Sequence, residues 1–186
     1  MFKNKKFIVS IVLMAILCLV GITLYFTFFK TDISTSPNHR YTVYYNKFTK
    51  TVVTTGDARG YFSPSGLKPA KAPEFHWSSD SRFLSENYYD VRGYSWCQFT
   101  DFKYNRGITV PTKSEIENIC KETLTKDKDN NLNANIYVEE WLDNNHALVH
   151  FSWPSDIPGK TISGWFTCEI TDDYQVRIAQ DIHVSK

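Results

Sequence analysis

From Phe7 to Phe29 an apolar run is interrupted by no charge, and after Asn38 the pattern changes to short segments in which apolar and polar positions alternate. The first pattern predicts a helix that needs a lipid surround. The second predicts a body of half-buried strands.

The leading run holds fifteen Leu, Ile, Val and Phe residues. As a helix it is roughly 34 Å long at about 1.5 Å per residue, enough to cross a hydrocarbon core of about 30 Å. Lys3, Lys5 and Lys6 precede it, and only Lys30, near Asp32, follows closely. The positive-inside rule then makes residues 1–6 a cytoplasmic basic tail, residues 7–29 a transmembrane anchor, and the remainder extracytoplasmic. A cleaved signal peptide needs a shorter apolar region and small residues before the cut, whereas Tyr25, Phe26, Phe28 and Phe29 make the outer end bulky. Ala15-Ile16-Leu17-Cys18 resembles a bacterial lipobox, but Leu17 stands where a small residue is expected and the apolar run continues past the cysteine. The reading is an uncleaved anchor, with cleavage and lipidation as the competing fates.

Residues 30–38 are polar, contain Pro37 and read as a stalk; 39–186 read as one domain. Tyr41–Tyr45 and Lys50–Thr55 predict a hairpin around Asn46-Lys47, and Gly66 to Pro73 a loop. Phe83–Tyr89, Ser95–Tyr104, Ile136–Leu142, Ala147–Trp153, Thr161–Ile170 and Tyr174–Val184 predict further strands. In the last, Tyr174, Val176, Ile178, Ile182 and Val184 share a face, with a break at Gln180. One helix is predicted over about Lys113 to Lys126. Thr112 and Glu115 make a capping box after Pro111, and Ile116, Ile119, Cys120 and Leu124 line one face. The polar stretch from Asp127 to Asn135 reads as a loop.

Three polar turns repeat before strands: Ser36-Pro37-Asn38-His39-Arg40-Tyr41, Ser78-Ser79-Asp80-Ser81-Arg82-Phe83 and Leu142-Asp143-Asn144-Asn145-His146-Ala147. Trp77 and Trp141 precede the second and third. These units resemble the strand–turn–strand units of TolB-like bacterial β-propellers, whose turns are of the Trp-Ser-Pro-Asp-Gly type. Pro37 keeps the proline once, Asp80 keeps the acid once, and the turn glycine is absent. Three units are too few to close a standard ring. The expected fold is mainly β: one N-terminal transmembrane helix, then an open antiparallel blade-like or two-sheet β domain with one inserted amphipathic helix. The resemblance implies recognition of other proteins or of envelope material rather than chemistry.

Beyond Lys30 there are 17 basic and 20 acidic residues, a net charge near −3 with no basic stripe, which argues against nucleic acid. Frequent Asn and Lys, with no Asn-x-Ser/Thr acceptor, read as a bacterial chain. Cys97, Cys120 and Cys168 lack a CxxC or zinc spacing and read as buried apolar groups, with one disulfide as the alternative.

No catalytic residue, metal ligand or cofactor motif emerges. His146 and His150 fall on a strand, about 13 Å apart, too far to share one ion. Asp127, Asp129, Asn131 and Asn133 alternate like the start of a calcium loop, but Leu132 and Val138 stand where the EF-hand Gly and Glu belong. Glu139 and Glu140, adjacent on a strand, are expected on opposite faces. Cys97 with a histidine has no local support as a nucleophile and base. Two Asp-x-Arg-Gly-Tyr echoes, at 57–61 and 90–94, nominate Arg59 and Arg92 to converge on an anion, against the simpler pairing of each Arg with its own turn Asp. Trp165, outward beside Thr161, Ser163 and Thr167, is the candidate to stack on a sugar or anchor a partner, against the simpler reading that the helix or a loop covers it. The expectation is a membrane-anchored extracytoplasmic binding module, held in the membrane by Phe7 to Phe29, whose partner is another envelope protein or a cell-wall component. The alternatives are an envelope hydrolase with an unrecognised site and an accessory subunit of a membrane complex.

Overall fold

The computed structural model describes residues 2–57, 60–62, 69–120, 134–155, 158–179 and 182–185. Helix α1 (Phe2–Phe29) carries the apolar run. From Phe7 to Tyr25 it is long and apolar enough to cross a membrane, and none of that span is buried by the rest of the chain.

Three antiparallel sheets follow among the described residues, two of four strands and one of five. The first sheet is β1 (Lys30–Thr35), β2 (Tyr41–Asn46), β3 (Thr51–Gly56) and β4 (Gly60–Phe62). The second is β5 (Glu74–Trp77), β6 (Phe83–Tyr89), β7 (Ser95–Asp101) and β8 (Arg106–Thr109). The third is β9 (Asn135–Trp141), β10 (His146–Pro154), β11 (Thr161–Ile170) and β12 (Val176–Ile178), with β13 (His183–Ser185) also paired to β11. Among the described residues the sheets are open and form no closed barrel.

Several expectations need correction. The segment read as a stalk contains β1, which pairs with β2 directly after α1. Its polar sequence shows no period-two apolar signal, and its register slips between Thr31 and Ser34, where Asp32 has φ 53°. Strands β4, β5 and β8 were not predicted; at three or four residues they are too short for a periodic pattern. The single strand expected over Tyr174–Val184 is two strands, β12 and β13, both on β11, and all five of its apolar side chains pack against the core as the alternation predicts. Gln180 lies outside the described residues, as does the part of the 66–73 loop before Pro69.

The second sheet lies between the other two. Val43, Tyr45 and Val52 of the first sheet meet Leu84, Tyr88 and Phe102 in one core. Phe83, Cys97 and Phe99 meet Val138, Ala147, Val149, Phe151, Phe166 and Cys168 in the other. Residues 83–88 of β6 are therefore all buried, although Ser85, Glu86 and Asn87 are polar. Each large apolar side chain so buried contributes about 1.5–3 kcal/mol.

The same hydrogen bonds recur between sheets. Trp77 donates its indole N–H to Ser34 Oγ (3.0 Å), joining the second sheet to the first. Trp141 donates to the His76 carbonyl (2.9 Å), joining the third to the second. The two tryptophans that the sequence places before the turns are thus inter-sheet ties.

The first two turns share one hydrogen-bond set. Ser36 N–H reaches Tyr41 O and Ser78 N–H reaches Phe83 O, both at 2.9 Å. Ser36 Oγ donates to Asn38 and Ser78 Oγ to Asp80, while Arg40 and Arg82 N–H each bond the same acceptor oxygens. His39 (φ 60°) and Ser81 (φ 65°) occupy the left-handed position where the TolB-like turn has glycine. The third turn is one residue shorter: Leu142 N–H bonds His146 O. The sequence alignment of Ala147 with Phe83 is therefore off by one. Ala147 pairs with Trp141 as Leu84 pairs with Trp77, which turns Ala147, Val149, Phe151 and Trp153 toward the second sheet. The turns also touch: Asn38 N–H donates to Ser81 Oγ and Ser79 Oγ to Asn144.

Helix α2 (Lys113–Cys120) has the predicted capping box. Thr112 N–H donates to Glu115 Oε2 (2.6 Å), and Glu115 N–H donates to Thr112 Oγ1 (3.3 Å). Ile116 is fully buried against the sheets, whereas Ile119, expected on the same face, is half exposed. The predicted remainder of this helix, with Leu124, and the calcium-like stretch from Asp127 to Asn133 lie outside the described residues.

Candidate functional site

Because one face of the third sheet is spent on the core, the alternate residues face away from it. The register sets them in two adjacent rows. Tyr137, His150, Trp165 and His183 are successive cross-strand partners through β9, β10, β11 and β13. Two residues along, Asn135, Ser152, Ser163 and Ser185 form the second row. An aromatic row thus runs beside a row of hydroxyls and one amide.

The aromatic rings stack in pairs. Trp165 lies on His183 with centroids 3.9 Å apart and planes 21° from parallel. Tyr137 lies on His150 at 5.5 Å and 15°. Between the pairs is a cavity of about 240 Å³, bordered by His150, Trp165, Ser152, Ser163 and Ser185. Gly164 lets β13 approach: a Cβ there would lie 2.1 Å from the His183 carbonyl oxygen and 2.6 Å from the Phe151 ring.

Glu139 reaches His150 Nε2 at 2.6 Å. It does so from a β-bulge. Leu148 pairs with Glu140 and Val149 with Val138, so Glu139 is the extra residue and both glutamates are exposed. The expectation that they sit on opposite faces fails here, because alternation does not survive a bulge. His146, far along β10, pairs with Asp143 instead (2.8 Å). Among the described residues no group of three or more His, Cys, Asp or Glu is arranged to hold a metal.

The nominated residues fall in different places. Trp165 lies on the open face beside Ser163, in the middle of the aromatic row; Thr167, expected to be outward with them, is buried. Arg92 follows β6 in a turn where Asp90 accepts the backbone N–H groups of Arg92 and Tyr94, and Arg92 Nε bonds Asp90 Oδ2 at 2.8 Å. Arg59 lies outside the described residues; Asp57, of the same echo, is bound by Arg40 at 2.6 Å. The sequence singles out Trp165 but not its row. Tyr137, His150 and His183 sit on three other strands, and only the pairing register brings them together.

Other reactive groups are engaged or inert. Cys97 and Cys168 are buried free thiols, and burial pushes both upward, Cys168 to about 12, so neither is a thiolate at neutral pH. Glu86 is fully buried between the first two sheets, accepting hydrogen bonds from Tyr88, Gln98 (3.0 Å) and Thr100 (2.9 Å). Burial raises its pKa against the pull of those three donors. A groove of about 860 Å³ separates α2 from β12 and β13, but Glu115 on its wall is committed to the helix cap.

No protein-family model matches the chain, and no curated protein matches it. Solved structures give a weak likeness at fold level to β-rich proteins. An uncharacterised protein of Listeria monocytogenes superposes with TM-score 0.45 at 12% identity, over 82% of this chain and 40% of its own. Hydrazine synthase of Kuenenia stuttgartiensis gives 0.46 at 12% identity, over 81% and 42%. TolB of Acinetobacter baumannii gives 0.38 at 13% identity, over 82% and 32%. The chain spans about two fifths or less of the length of these proteins.

Proposed function

We propose that the protein is a single-pass membrane protein with a cytoplasmic N-terminus, whose extracytoplasmic domain of TolB-like repeat units binds envelope material through the open face of its third sheet. The observation that carries this reading is the row Tyr137–His150–Trp165–His183 on the face turned away from the core. Large rings held half-exposed on a face with few charges have the composition of the centre of a recognition surface. The apolar, unburied α1 supplies the anchor, and the lysines before it set the orientation.

Two experiments test it. Protease added to intact spheroplasts should remove the β domain and leave a small membrane stub; a protected full-length chain overturns the topology. A photo-crosslinker replacing Thr161, exposed on the same face of β11 beside the serine row, should trap envelope material in living cells, while one replacing Phe48, a highly exposed residue of the β2–β3 turn, should not. Equal yields from the two positions overturn the binding face.

A further inference from the structure

We infer that the ligand of this face is an uncharged carbohydrate, with one sugar ring seated in the slot between His150 and Trp165. The inference rests on the binding role proposed above and names the chemistry of what binds.

The slot is already built. His183 covers one face of Trp165 from β13, Tyr137 backs His150 from β9, and His150 and Trp165, paired across β10 and β11, both border the cavity. Each wall is a backed ring rather than a loose side chain, which lowers the entropic cost of engaging a ligand. The cavity of about 240 Å³ lies below the roughly 300–1,000 Å³ of sites for drug-sized molecules. It suits a single ring and leaves the rest of a chain outside.

The polar groups match a sugar. Ser152, Ser163 and Ser185 border the slot. Each hydroxyl both donates and accepts, as sugar hydroxyls do. A pyranose ring is two-sided in the same way: its C–H face suits an aromatic wall and its rim suits a row of hydroxyls. A flat aromatic ligand would use the walls and leave the serines idle.

Electrostatics disfavour anionic sugars and phosphates. Among the described residues no Lys or Arg lines the slot, and the carboxylate of Glu139 is held against His150 at 2.6 Å. An acidic ligand would be desolvated beside that carboxylate.

The test uses the full-length protein in a detergent without a sugar headgroup, titrated calorimetrically with chitotetraose, cellotetraose and mannotetraose, and with tetramethylammonium as a cationic probe. At least one neutral oligosaccharide should bind saturably. Trp165→Ala should weaken binding at least about tenfold, and Ser163→Leu should block it while leaving the stacked rings in place. Phe48→Ala should bind as wild type does. Unfolding midpoints of the variants separate loss of the site from loss of the fold. Absence of binding by all three oligosaccharides, equal binding by Ser163→Leu, or binding of tetramethylammonium alone overturns the inference. If sugars fail while the crosslinker at position 161 still traps envelope material, the ligand class is wrong and the binding face stands; if both fail, the face itself is wrong.

Discussion

Asn87 and Val138 close a two-bond ring across the interface of the second and third sheets: Asn87 Nδ2 donates to the Val138 carbonyl at 2.7 Å, and Val138 N–H donates to Asn87 Oδ1 at 2.9 Å. A side-chain amide here does the work of a strand. β9 finds in Asn87 the partner that its own sheet does not give at that position, and both backbone groups are buried.

Removing that amide should be costly. Asn87→Ala leaves a buried N–H and a buried carbonyl without partners, at about 1–3 kcal/mol each. Asn87→Asp should be worse, since a carboxylate would face the Val138 carbonyl. Urea unfolding of the detergent-solubilised protein should show a clear fall in midpoint for both, with the Asp variant lower at pH 7 and recovering at acid pH.

Glu86 should give the wild type a pH-dependent stability. Burial holds its native carboxyl above the ordinary glutamate value of about 4.5. Between the unfolded and native values the folded state holds the extra proton, so stability is full below about pH 4.5 and is lost as pH rises through the raised native value. Within that window each pH unit costs up to about 1.4 kcal/mol. Glu86→Gln should flatten this slope, as read from unfolding midpoints across a pH series. A slope unchanged by the substitution would falsify the assignment.

Gly164→Ala should disturb β13 before anything else. The new methyl meets the His183 carbonyl oxygen and the Phe151 ring, so the edge strand must move outward. The expected cost is about 1–3 kcal/mol. His183 should leave the face of Trp165, and a changed Trp emission spectrum would report it.

His39→Gly should stabilise the protein. His39 is exposed at φ 60° in the first turn, and relief of left-handed strain is partly offset by the added freedom of the unfolded chain, for a net gain of up to about 1 kcal/mol. Ser81, at the equivalent position, is the less suitable site because its Oγ accepts the Asn38 N–H. A thermal midpoint raised by His39→Gly and lowered or unchanged by Ser81→Gly distinguishes the two turns.

The legible parts of the sequence were those governed by local rules. Thr112 and Glu115 announced the start of α2, and period-two alternation placed β10 and β11 with their core faces correct. Trp77 and Trp141 were visible as repeated residues, but their role as inter-sheet ties depends on acceptors 43 and 65 residues away. β6 was legible as a strand but not as the middle layer. Alternation reports two different faces, and a strand covered on both sides shows none where its buried polar groups bond one another, as Glu86 does with Thr100 and Gln98.

By itself the sequence determined an apolar helix able to span a membrane, a mainly antiparallel β body and an outward Trp165, because hydrophobic period and capping act over a few residues. Only the tertiary structure decided that three sheets stack in series, that the third turn is one residue short, and that Tyr137, His150 and His183 flank Trp165. Those relationships are set by strand register and face-to-face packing, in which the partners lie tens of residues apart and a shift of one residue exchanges the buried face for the exposed one.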